Sequence, residues 1–245
     1  MGASHLKPKV ERLPWDSSFF GLDVGRVTVP CDWTGHSLEL KALIRDSSLD
    51  LAYVLVPESL PEPEKTVVQD VLVELSGVLY DKRTVFRKRF GERASGARTA
   101  AVFATRLSAP LEELAYASGV YSRFALDPRL APFFRPMYRL WLEKELANGK
   151  VFVWPDAAAP QGMATISVRD GEGKIGLVAV DAESRGKGIA SRLMAAVDAW
   201  LQEQGVGVCE VATQGKNLPA QALYRKAGFF CCDQQDVWHV WRREP

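Results

Sequence analysis

Only three histidines, His5, His36 and His239, occur in this chain, and its four cysteines, Cys31, Cys209, Cys231 and Cys232, offer no C-x-x-C spacing. A structural zinc needs four such ligands brought together, so no metal site is expected. A disulfide framework is not expected either, and the cysteines read as small core hydrophobes. The shortage of histidine works against a hydrolase triad, and no G-x-S-x-G elbow is present. No run approaches the roughly 20 apolar residues of a membrane span, and "MGASHLKPKV" at the amino terminus lacks the apolar stretch of a secretion signal. The expected location is the cytoplasm, with no membrane partner. Neither sign of charge dominates, since 31 Lys and Arg against 30 Asp and Glu leave a formal charge of +1. That balance excludes nucleic acid as a partner recognised by bulk charge, and any binding of anions must be local. Internal repeats, heptad arrays and low-complexity tracts are absent as well.

What is present is an ordinary globular composition, 47% hydrophobic and 25% charged over 245 residues, enough for one large domain or two small ones. "SLELKALIRDSS" is helix-like, "DLAYVLVP" is a short apolar strand, "PEKTVVQDVLVELSG" is an amphipathic helix ending at Gly77, and "VLYDKRTVFRKRF" is strand-like. This alternation indicates a small α/β layer. "GERASGARTA", residues 91–100, is the expected linker, which divides the chain into domains 1–95 and 96–245. Beyond it, "APLEELAYASG" is a helix closed by Gly119, and "DPRLAPFFRPMYRLWLEKELANG" becomes helical from Met137. "KVFVWPD" and "QGMATISVRDGEGKIGLVAVD" are strands in hairpin order, and Ile189, Leu193, Val197, Trp200 and Leu201 mark the buried stripe of a long helix. "GVCEVAT" is a strand, "NLPAQALYRKAG" a helix bounded by Asn217 and Gly228, and "FFCCDQ" with "VWHVWR" are expected to close the chain as a hairpin.

The residues that carry chemistry begin at "ESRGKGIASRLM", residues 183–194, where two glycines and three cations stand at the start of the apolar stripe, Arg185 and Lys187 before it and Arg192 within its first turn. The start of a helix presents unpaired N–H groups and partial positive charge. Gly186 and Gly188 let a phosphate reach that backbone, and Arg185 and Lys187 add full charges, so the turn suits a pyrophosphate. It matches neither the P-loop nor the dinucleotide G-x-G-x-x-G pattern. Two glycines can also simply shape a strand-to-helix turn.

The turn stands in a larger pattern: V-x-x-x-x-R-G-x-G-x-A on residues 180–190, a strand, then N-x-x-A-x-x-x-Y-x-x-x-G-F on residues 217–229. Together these resemble the GNAT superfamily of N-acetyltransferases. The resemblance implies an α/β mixed-sheet fold, with a GNAT fold in the carboxy-terminal half and a smaller GNAT-like half before it. It implies acetyl-CoA as cofactor, bound by Leu177, Val178, Ala179, Val180, Arg185, Gly186, Lys187, Gly188, Ile189, Ala190, Asn217 and Ala220. It also implies that Tyr224 protonates the departing thiol. "LPWDSSFFG", "YSRFALDP" and "VATQGKN" further resemble bacterial acyltransferases of nucleotide-linked amino sugars, which implies that class of acceptor, a homodimer, and Arg123, Phe124 and Tyr138 on the substrate side.

Several of these positions carry a second reading. Tyr224 is also a plausible core residue of an amphipathic helix, and Asn217 an ordinary helix cap. The resemblance implies an oxyanion-binding backbone N–H within residues 177–179, with the choice open. A general base is implied on an acidic residue at a strand end in the first half. That residue is Asp81, an aspartate where those enzymes have glutamate, and a solvated strand-end charge otherwise. Lys82, Arg83, Arg87, Lys88, Arg89, Arg93 and Arg98 could draw in a nucleotide diphosphate or form a solvated face; Arg123 could instead form a surface ion pair. Other acceptors in the same chemistry are a protein or peptide amine or another small amine, and the rival of another class is a CoA-binding module without catalysis.

Overall fold

The computed structural model describes residues 7–91 and 102–242. The chain is mixed α/β and packs as two compact units, Met1–Thr84 with Asp233–Pro245, and Val85–Cys232. The linker expected at residues 91–100 lies, from residue 92 on, outside the described residues. No described helix is long and apolar enough to cross a membrane.

The first unit contains β1 (Lys9–Arg12), α1 (Pro14–Phe20), β2 (Val24–Thr28), α2 (Ser37–Asp46), β3 (Leu51–Pro57), α3 (Glu62–Glu74) and residues of β4 (Val78–Arg89) and β10 (Phe230–Trp241). Its strands lie in the order β1, β2, β3, β10, β4. β2 and β3 are parallel, with α2 as the crossover that a parallel pair requires, and β10 runs antiparallel to β3. The run "LAYVLVP" is buried at six of its seven positions, as a strand paired on both edges should be. Val54 and Val56 of β3, Leu40 and Ile44 of α2, Val68 and Leu72 of α3, and Trp238 and Val240 of β10 form its core.

The second unit adds β5 (Val102–Ala104), α4 (Ala109–Ser118), α5 (Arg123–Leu126), α6 (Phe134–Asn148), β6 (Lys150–Trp154), β7 (Gly162–Arg169), β8 (Glu172–Val180), α7 (Ile189–Glu203), β9 (Val208–Gln214) and α8 (Leu218–Lys226). Strands follow the order β4, β9, β8, β7, β6, β5. β5 to β8 are antiparallel neighbours and β8 pairs β9 in parallel, so α7 serves as a crossover between them. The apolar stripe Ile189, Leu193, Val197 and Leu201 of α7 packs on Ala164 and Ile166 of β7 and Ile175 of β8.

Two expectations are corrected. No closing hairpin forms: residues 230–241 are one strand, because nothing in that run is a glycine or proline that could reverse it. The polar "DQQD" instead makes cross-strand contacts, with Asp233 near Arg83, Gln234 Nε2 donating to Thr84 Oγ1 at 3.2 Å, and Asp236 facing Lys82. α6 begins at Phe134 rather than Met137. Pro136 falls in its first turn, where a backbone N–H has no intrahelical partner to lose. The sequence reading placed no element before residue 37 and missed β1, α1, β2 and β5, all seven residues or shorter.

Candidate active site

The glycine turn lies between β8 and α7. Asp181 leaves the strand with its N–H on Gln161 O at 2.8 Å, and its carboxylate accepts from Glu183 N at 3.1 Å, closing one tight turn. Gly186 and Gly188 follow at φ of +76° and +78°, a region that L side chains rarely adopt, and space around both is open where a Cβ would stand. Among the described residues no side chain caps α7, whose N-cap is Gly188. Its first-turn N–H groups therefore face outward with the helix dipole behind them. Arg185 and Lys187 are exposed beside them, and Arg185 Nε donates to Val180 O at 3.3 Å, while Ile189 is buried and anchors the helix. This open, cationic cradle fits the pyrophosphate of coenzyme A.

Upstream, β8 carries a bulge. Its pairing to β7 jumps from Ile166 with Ile175 to Ala164 with Val178, so Gly176 and Leu177 together oppose Thr165. The side chains record the same slip: Ile175 packs with the α7-side core and so do Val178 and Val180, which breaks the period of two. Gly176 is the position that makes room, because a Cβ there would stand 2.8 Å from Thr165 Oγ1 and 3.3 Å from Trp141 Nε1. Leu177 N–H turns to Thr165 Oγ1 at 2.9 Å, and Asp181 N–H also points toward β7. Strand alternation then aims the N–H groups of Val178 and Val180 the opposite way, toward β9. Pairing with β9 ends at Ile175 and Val211, so beyond that point the two parallel strands separate. Val178 N–H thus looks into a gap.

α8 follows β9. Asn217 Oδ1 accepts from Ala220 N at 3.2 Å and caps the helix, and Gln221 Nε2 donates to Gly215 O at 2.9 Å and Gln214 O at 3.3 Å, fixing the turn before it. Asn217 is thereby an observed cap. Tyr224 is 4% exposed and packs against Phe86 and Phe229, with ring centroids at 5.8 and 6.2 Å. Burial pushes its phenol well above the usual range, so it stays protonated at neutral pH. Val178, Val180, Ile189, Ala220 and Tyr224 belong to one apolar cluster, so strand, turn and second helix converge. Leu177 and Ala179 are buried, and Ala190 is half-buried on α7.

The remaining predicted residues lie on other elements. Asp81 is half-buried on β4, within the Met1–Thr84 unit. Arg123 opens α5, its guanidinium 4.2 Å from the centroid of the Phe124 ring, and both are half-buried. Tyr138 is buried on α6 beneath Gly119, where a Cβ would come within 2.2 Å of its ring, so it packs as a core residue. Most of the basic run is ion-paired: Lys82 with Glu58, Arg83 near Asp233, Arg87 with Glu210, and Lys88 with Asp198 and with Ala227 O at 2.7 Å. Arg89 is exposed, and Arg93 and Arg98 lie outside the described residues. Thr165, Gly176 and Gln221 escaped the sequence reading. An isolated glycine within a strand is itself a bulge signal, and Gly176 carried it.

Residues 116–229 match the model of the acetyltransferase (GNAT) family. The fold is shared with a protein of Staphylococcus epidermidis described as functionally unknown and conserved, at 12% identity, TM-score 0.63, covering 98% of this chain and 93% of that one. A GNAT protein of Sphaerobacter thermophilus is similar at 17% identity and TM-score 0.58, with 96% and 76% covered. A tandem GNAT protein from the clavulanic acid biosynthesis pathway, determined without acetyl-CoA, is similar at 17% identity and TM-score 0.50, with 91% and 76% covered. No match was found among curated proteins. The stretch that matches the GNAT family model, residues 116–229, holds the glycine turn, the β8 bulge and Tyr224, and the similar solved structures share the fold around it.

Proposed function

We propose that this chain is an acetyl-CoA-dependent N-acetyltransferase that acts on the amino group of a nucleotide-linked amino sugar, in the class of dTDP- or UDP-linked 4-amino-4,6-dideoxyhexoses, by direct attack within a ternary complex. Support for that acceptor comes from "LPWDSSFFG", which forms α1 with Trp15 stacked on Phe19 at 5.1 Å, "YSRFALDP", which forms α5, and "VATQGKN", which leads into α8. These segments resemble the enzyme that acetylates dTDP-4-amino-4,6-dideoxygalactose. The same resemblance supports a cytoplasmic homodimer, with Arg123, Phe124 and Tyr138 on the acceptor side.

The observation that carries the chemistry is the separation of β8 from β9 beside the bulge. Acetyl-CoA supplies an activated acetyl group and a thiolate leaving group. Val178 N–H is the donor for the acetyl oxygen as it gains negative charge, a role worth most in a site that excludes water. Tyr224, held protonated by burial, gives its proton to the leaving sulfur. Arg185, Gly186, Lys187 and Gly188, with the free end of α7, hold the pyrophosphate, while Leu177, Ala179, Val180, Ile189 and Ala190 shape the backbone around it. Asn217 and Ala220 start the helix that presents Tyr224. The amine must lose a proton as its new C–N bond forms, and the acidic residue that the resemblance implies for this role, through water, is Asp81.

The test is thiol release from acetyl-CoA against a panel of nucleotide-linked 3- and 4-amino sugars, with peptides and polyamines alongside. Release selective for a nucleotide sugar is expected. Selective release with a peptide or polyamine would replace the acceptor assignment, and tight CoA binding with no release by any amine would favour a binding module.

A further inference from the structure

We infer that Thr165 is a positioning residue for acetyl transfer: its hydroxyl takes the N–H of Leu177 out of the strand ladder and thereby turns the N–H of Val178 into the gap. Thr165 is fully buried on β7, and its Oγ1 accepts from Leu177 N at 2.9 Å. That bond sits where the β7–β8 register slips by one residue. In an unbulged strand a ladder carbonyl would take such an N–H, and the following residues would keep the regular register. The bulge leaves two consecutive residues against one partner, and the extra backbone donor needs an acceptor that the ladder lacks. A threonine hydroxyl on the opposing strand supplies it.

The surroundings leave this hydroxyl little freedom. Gly176 contributes no side chain, and one there would meet Thr165 Oγ1 at 2.8 Å and Trp141 Nε1 at 3.3 Å. Trp141 Nε1 is itself held by Glu145 Oε1 at 3.3 Å. The threonine is β-branched and stiff at χ1, which suits a fixed acceptor. Thr165 touches no reacting atom in this scheme and acts through the backbone of Leu177 and Val178.

The inference rests on the acetyl-transfer reading for its kinetic test only. Thr165→Val keeps the shape and removes the acceptor, and Thr165→Ser keeps the acceptor. Expected is a roughly ten- to hundredfold fall in kcat for Thr165→Val, KM for acetyl-CoA within about twofold of wild type, and recovery of most of the rate in Thr165→Ser. A purely structural role would lower Tm in Thr165→Val without lowering kcat in the folded fraction, and that result overturns the inference. So does a serine variant as slow as the valine one. Where wild type transfers acetyl to no acceptor, the functional reading has failed by itself, and amide NMR decides the inference. Acetyl-CoA should shift the Val178 amide in wild type and not in Thr165→Val, with the Gly186 and Gly188 amides shifting in both. Equal Val178 shifts in the two proteins overturn it.

Discussion

Tyr224 is 4% exposed, and burial alone holds its phenol protonated. Tyr224→Phe is expected to cost about 100-fold or more in kcat, with CoA affinity nearly unchanged and Tm equal or slightly higher. Parallel loss of binding and turnover would remove the proton-donor role. Glu145 is a second buried group, its Oε2 without a hydrogen-bond partner among the described residues, and burial raises its carboxyl above 4.5 despite the Trp141 hydrogen bond and the nearby Lys144 and Lys174. A carboxyl with a raised folded-state pKa binds more protons folded than unfolded between the two values, so stability falls as pH rises through that window. Tm of Glu145→Gln relative to wild type should therefore climb as pH increases from about 4.5, a trend thermal melts across a pH series would read. The thiols divide in the same manner. Burial pushes Cys209 up to about 12, whereas Cys31, Cys231 and Cys232 are exposed, so a thiol reagent should titrate three groups in the native protein and the fourth on unfolding. Tyr224 and the glycine turn were singled out in the sequence through the family pattern that they fit. Thr165 was not, since its importance depends on the residue that faces it across a strand pair.

At the scale of elements, the turn and α7 act together. Gly188→Ala would force a Cβ into a left-handed conformation at the N-cap, and the expected result is weaker acetyl-CoA binding at near-constant kcat, read from calorimetry and initial rates. Asn217→Ala removes an observed cap at a cost of about 1 kcal/mol, which denaturant melts would register. The elements that sequence reading placed well are those with strong period and clear punctuation: α7 between Gly188 and Gly205, and α8 between Asn217 and Gly228. β10 was misread as two strands because alternation is interrupted by "DQQD", whose polar side chains find partners on β4. Such partners come from residues about 150 positions away in the chain, beyond any local pattern. The short strands β1, β2 and β5 owe their form to neighbours in the same manner.

For the whole molecule, the two compact units differ in how the chain supplies them. The unit Val85–Cys232 is one continuous stretch, with the family match over residues 116–229 inside it. The other unit is assembled from residues far apart, and β10 lies between β3 and β4 there, with Trp238 and Val240 in its core. During synthesis, residues 1–84 are made before residues 85–232, yet the strand that lies between their β3 and β4 emerges only after all of residues 85–232. The unit that starts earlier is thus the one that closes later, and until then the edges of β3 and β4 stand open to any other extended chain in reach.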